Sequence, residues 1–163
     1  MRNALFVAVG LAAACAPAAE QPAASAPAAP DTAAIRLAIQ AVSDRYAELD
    51  VAGDAAGIAG LYAENGTAAF FGFPTTTGRA GIEAIYRTLF SIQKLTAATS
   101  TVHTAGSPAP GVATAGGTFA ETVDSSGTII RNWWRWAAAY RQEADDQWRI
   151  TYIMAFPDSS SRK

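Results

Sequence analysis

Two ionisable side chains stand where this sequence could carry out proton chemistry, Glu121 and His103. Along residues 118–123, Phe119, Glu121 and Val123 share one strand face, while Thr118, Ala120 and Thr122 share the other. The bulk of Phe119 and Val123 marks theirs as the concave face, which sets a carboxyl among apolar neighbours. A carboxyl there loses solvation, its pKa rises, and it can serve as a general acid or base. A place at the open rim, or a pairing with an arginine, is the competing expectation for Glu121. His103 is the only histidine, and its ring titrates near neutral pH. It falls near the end of a strand followed by Ala105-Gly106-Ser107-Pro108, so a surface position competes with a role in proton transfer.

Other chemistries lack their residues. One histidine without a second, and without a cysteine in the domain, cannot make a zinc site of the usual kind. The sequence has no Gly-rich phosphate loop, no paired carboxylates at metal spacing and no Gly-x-Ser-x-Gly turn. Asp145-Asp146 reads as a solvated acidic turn. No metal and no cofactor is expected. The 163 residues hold 12 Lys plus Arg against 14 Asp plus Glu, for a net charge of −2. Without a basic cluster there is no nucleic-acid surface, because phosphate binding needs concentrated Lys and Arg.

Residues 1–15 read as a secretory signal: an early Arg2, an apolar run from Ala4 to Ala14, then Cys15, the single cysteine. The run is shorter than the roughly 20 residues a spanning helix needs. Leu11-Ala12-Ala13-Ala14-Cys15 resembles a bacterial lipobox, with an ordinary cut in the same alanine run as the alternative. A lone cysteine in an exported chain has no internal disulfide partner, and a lipid anchor would use it. Residues 16–30, rich in Ala and Pro, then read as an extended linker. The expected location is the cell envelope, as a lipoprotein, with Ala16 after the cysteine resembling the outer-membrane sorting position, facing the periplasm. The membrane is met through that anchor only.

Residues 31–157 hold the folded part, with 158–163 as a tail. Asp31 caps a helix with Ile35, Ala38, Ile39, Val42, Tyr46 and Leu49 at threes and fours, ending near Gly53. Asp54 starts a short second helix carrying Ile58, Leu61 and Tyr62, stopped by Asn65-Gly66. Residues 67–73 form a short strand, broken by Pro74 and the loop that follows. A third helix covers about residues 79–93, with Ile82, Ile85, Tyr86, Leu89 and Phe90 on one face. Four strands follow, over residues 99–104, 112–123, 128–142 and 148–156, with turns at Asp124-Ser125-Ser126-Gly127 and Ala144-Asp145-Asp146. On the third of these, Asn132, Trp134, Trp136, Ala138 and Tyr140 share one face, and Arg131, Trp133, Arg135 and Arg141 the other. The class is α+β, three N-terminal helices packed on a curved, mainly antiparallel sheet.

The stretch Arg45 to Asn65, with Gly53-Asp54 and Leu61-Tyr62-Ala63-Glu64-Asn65, resembles the first two helices of the NTF2-like superfamily. That superfamily includes the steroid isomerases and the SnoaL-like cyclases. Gly78-Arg79-Ala80-Gly81-Ile82 resembles its third helix, and Trp148-Arg149-Ile150 its closing strand. The resemblance implies a cone-shaped fold over about residues 31–156. It places the isomerase oxyanion tyrosine on Tyr46, the base on Phe70 and the second acid near Ala138. Since Phe and Ala exchange no proton, isomerisation by that mechanism is not expected, and Tyr46 alone also fits a packed aromatic.

The leading expectation is a pocket for a small apolar or aromatic molecule, lined by Tyr46, Tyr62, Phe71, Tyr86, Phe90, Phe119, Trp134, Trp136 and Met154, with Glu121 or His103 orienting the ligand. The second is an enzyme of the cyclase, dehydratase or isomerase type using Glu121 with Tyr46 or His103. The third is a protein-interaction module. A homodimer through the outer sheet face, at Trp133, Arg131 and Arg135, is the expected assembly, a contact the resemblance implies.

Overall fold

A computed structural model describes residues 31–162; the expected signal segment, Cys15 and the Ala/Pro stretch lie outside the described residues. Helix α1 covers Thr32–Ala52. The Asp31 carboxylate accepts the amide protons of Ala33 and Ala34, and Gly53, with φ 69°, closes the helix in a left-handed turn that suits glycine. Helix α2 is short, Ala55–Gly60, capped by Asp54. It stops before Leu61 and Tyr62, which had been expected on it. Two glycines in six residues give it little propensity, and Tyr62 instead opens strand β1, Tyr62–Phe70. Asn65-Gly66 therefore lies inside an irregular strand rather than ending a helix.

The two-residue strand β2, Thr76–Thr77, pairs with β1 and precedes helix α3, Arg79–Ile92. The rest is sheet: β3 Lys94–Ala109, β4 Val112–Ser125, β5 Thr128–Gln142 and β6 Trp148–Arg162. The order is β2-β1-β6-β5-β4-β3, antiparallel except where β1 lies parallel to β6. β6 runs to Arg162 because β5 offers it ladder partners as far as Ile130, so residues 158–162, expected as a tail, are strand.

Gln40 ties α1 across the sheet. Its side-chain amide donates to the Ser100 carbonyl at 2.8 Å, and its oxygen accepts the Val102 amide at 2.8 Å. Arg79 binds the Tyr62 carbonyl at 2.7 Å and so holds α3 to β1. The core, with Ile39, Ile58, Tyr62, Ile82 and Ile150 sealed from solvent, lies between the helices and the concave face of the sheet. Among the described residues no helix is long and apolar enough to cross a membrane.

Candidate ligand cavity

Alternation along β4 and β5 turns Phe119 and Glu121 inward beside Trp134, Trp136 and Tyr140, and α1 and α3 close the space from above with Tyr46, Tyr86 and Phe90. The rings pack edge to face: Tyr46 meets Tyr86 at 6.0 Å and Phe119 at 6.1 Å between centroids. They leave a cavity of about 140 Å³. Phe71 and Phe73 stand at its mouth, Phe71 with 65% of its surface exposed.

The polar groups are few. Glu121 Oε1 accepts from Asn132 Nδ2 at 2.9 Å and from Trp134 Nε1 at 3.1 Å, which fixes the carboxylate while its second oxygen has no partner among the described residues. Asp50 also lines the cavity, with 7% of its surface exposed. Burial pushes its carboxyl up from 3.8 to about 7, and the charge on Glu121 adds to the effect. The hydroxyls of Tyr46 and Tyr86 share a hydrogen bond. Burial, then Glu121, raises the Tyr86 phenol well above its ordinary range. Burial does the same to Tyr140, against which a Ser43 hydrogen bond works. Three buried donors, Tyr62 Oη, Trp136 Nε1 and Arg149 Nε, have no partner among the described residues.

Seven of the expected residues meet here: Tyr46, Tyr86, Phe90, Phe119, Glu121, Trp134 and Trp136; Phe71 joins them at the mouth. Three do not. Tyr62 is sealed in the core beside the cavity and does not line it. His103 follows buried Val102 and so alternates to the outer face, where Nε2 meets Thr118 Oγ1 at 3.0 Å. Met154 also points outward. The register shifts between Ala139 and Tyr140, so Ile150 and Ile153 both face in, and Tyr152 and Met154 fall on the far side.

Asp50 was not expected in the site. It lies four residues beyond Tyr46 and seven beyond Ser43, all on one face of α1, and that spacing was the available signal. The positions that the isomerase resemblance assigns to acids hold Phe70 and Ala138: Phe70 lines the cavity and Ala138 is packed in the core. The cavity's acids come from α1 and β4 instead. Among the described residues no Lys, Arg or His lines it, and no group of three or more His, Cys, Asp or Glu could hold a metal. The arrangement can wrap a ring in aromatic walls, hold it from two carboxyls, or pass a proton between them.

A family model described as "SnoaL-like domain" matches residues 31–153. Among solved structures, a ketosteroid isomerase-like protein from Erwinia carotovora atroseptica is 14% identical, with TM-score 0.69, over 76% of this chain and 96% of that one. An NTF2-like protein with a cystatin-like fold from Novosphingobium aromaticivorans is 27% identical, with TM-score 0.58, over 76% and 81%. ActVI-ORFA from Streptomyces coelicolor is 14% identical, with TM-score 0.65, over 75% and 96%. The likenesses at 14% show the fold alone. No curated protein matches significantly.

Proposed function

This chain belongs to the SnoaL-like family of NTF2-like domains, and on that footing we propose that it binds a small, one-ring apolar or aromatic molecule in its cone. The observation that carries this is the cavity itself: about 140 Å³, aromatic on most sides, with Asp50 and Glu121 as polar handles. That is close to the roughly 150 Å³ apolar cavity that takes benzene, and well short of a four-ring steroid held entirely inside.

Titrating the full chain with toluene or benzyl alcohol, followed by NMR, tests the reading. Saturable shifts confined to residues around Tyr46, Phe119 and Trp134 are expected, and they should vanish in Phe119→Trp, which fills the space. No shifts at millimolar ligand would contradict it.

A second reading is favoured by one observation, an acid raised to about 7 beside a carboxylate that Asn132 and Trp134 hold in place. Here Glu121 takes a proton from the carbon next to a carbonyl, while Tyr46 or protonated Asp50 donates to the oxygen. Deuterium exchange into a small cyclic ketone reads this directly. Glu121→Gln should lower it by roughly 100-fold or more while benzyl alcohol still binds; equal exchange in both proteins rejects the role.

We also propose that the protein is an envelope lipoprotein anchored through Cys15, and that a second copy covers the outer sheet face. The lipobox-like Leu11–Cys15 run supports the first. Exposed Trp133, Tyr152 and Phe156 support the second, although Arg135 of that face is already paired with Asp158 at 3.0 Å. Palmitate labelling of Cys15→Ala and sedimentation of Trp133→Glu check them.

A further inference from the structure

We propose that the cavity's ligand is an organic cation, a one-ring compound whose protonated amine is held by Asp50 and Glu121 inside the aromatic walls. This rests on the reading of the cavity as a one-ring site and adds the charge of what enters.

Buried carboxyls are ordinarily paired with a cation or hydrogen-bonded throughout, because an isolated buried charge is costly. Asp50 departs from that rule. It is 93% buried by its 7% exposure, it lines open space, and among the described residues neither a cation nor a side-chain donor is placed against its carboxyl. The ion pairs of the described residues join other acids, at Glu48, Glu64, Glu83, Glu143, Asp145 and Asp158, and leave both Asp50 and Glu121 free. The missing partner is therefore one that the cavity admits from outside.

The walls suit the same guest. Tyr46, Tyr86, Phe119 and Trp134 surround the space with ring faces and edges, and a cation is drawn to such faces, most strongly where water is excluded. An anionic ligand would meet two acids and no compensating Lys, Arg or His. The titratable groups that line the cavity with Asp50 are Glu121 from β4, Tyr46 from its own helix, Tyr86 from α3 and Tyr140 from β5, with Tyr62 of β1 close behind, none of them cationic. The unpartnered Tyr62 hydroxyl lies near enough to feel the charge on Asp50. With its carboxyl raised to about 7, Asp50 is partly protonated near neutral pH, and entry of an ammonium group expels that share of a proton.

Calorimetry of the full chain near neutral pH, with benzylamine and with its neutral analogue benzyl alcohol, tests this. Benzylamine is expected to bind roughly tenfold tighter or more, with release of a fraction of a proton, read by repeating the titration in buffers of different ionisation enthalpy. Asp50→Asn, which keeps the side chain's shape, should erase both the preference and the proton release. Benzyl alcohol binding as well as benzylamine, or a preference that survives in Asp50→Asn combined with Glu121→Gln, overturns the cation while leaving the one-ring cavity standing. If neither compound binds, the cavity reading falls and the cation with it.

Discussion

Asp50→Asn is expected to stabilise the folded protein above about pH 7 by roughly 3 kcal/mol and to flatten its pH dependence. The folded carboxyl keeps its proton to a higher pH than the unfolded one, so between the two values the folded state binds more protons. Its stabilising contribution is then complete below about pH 4 and is lost as pH rises towards about 7, the value reached in the folded protein. The displacement from 3.8 to about 7, at about 1.4 kcal/mol per pH unit, caps the effect near about 4 kcal/mol. The asparagine amide still has to be buried, which takes back part of the gain. Urea unfolding at a series of pH values measures it. The unmodified protein should weaken from about pH 4 to about pH 7 more than the variant; parallel curves would mean that Asp50 is solvated or already paired. A residue that costs stability where it stands is more easily explained by a ligand than by packing.

The second large effect concerns Gly117, which pairs with Trp136 across β4 and β5. A Cβ there would run into the Thr101 carbonyl and lie 2.9 Å from Trp136 Cζ2. The Thr101 carbonyl belongs to backbone that cannot swing away as a side-chain tip can. Gly117→Ala should therefore cost about 2–3 kcal/mol, by forcing β3 outward or Trp136 into the cavity. Gly60→Ala is the matched control, with nothing within 4 Å of its Cβ and no left-handed backbone, and it should be close to neutral. Thermal melts of the two variants decide the matter; equal melting would mean that the β3–β4 pairing yields more readily than its geometry implies.

The β4 and β5 faces were legible because their pairing runs without interruption from Val112 to Ser125. Parity read in sequence then survives in space, and Glu121, Trp134 and Trp136 land where alternation puts them. Parity failed where a strand takes an extra residue. Met154 was displaced by the irregularity opposite Ala139 and Tyr140. No local residue pattern in β6 announces that extra residue. Asp50 was hidden differently. Helix α1 is covered on two sides, Leu49 meeting Gly57 of α2 while Asp50 faces the cavity. A stripe read from apolar residues alone takes in Val42 and Tyr46 on the cavity side and passes over the acid beside them. The length of β6 was missed because its end, Asp158 to Arg162, is polar and depends on β5 for partners.

A crystal of the full chain soaked with benzylamine tests the central claim most directly. The account predicts a single ring seated between Tyr46, Phe119 and Trp134, with its nitrogen within ion-pair reach of Asp50 or Glu121. Side chains closed over that space with no density between them, or a ring found only on the outer face near Trp133, would contradict it.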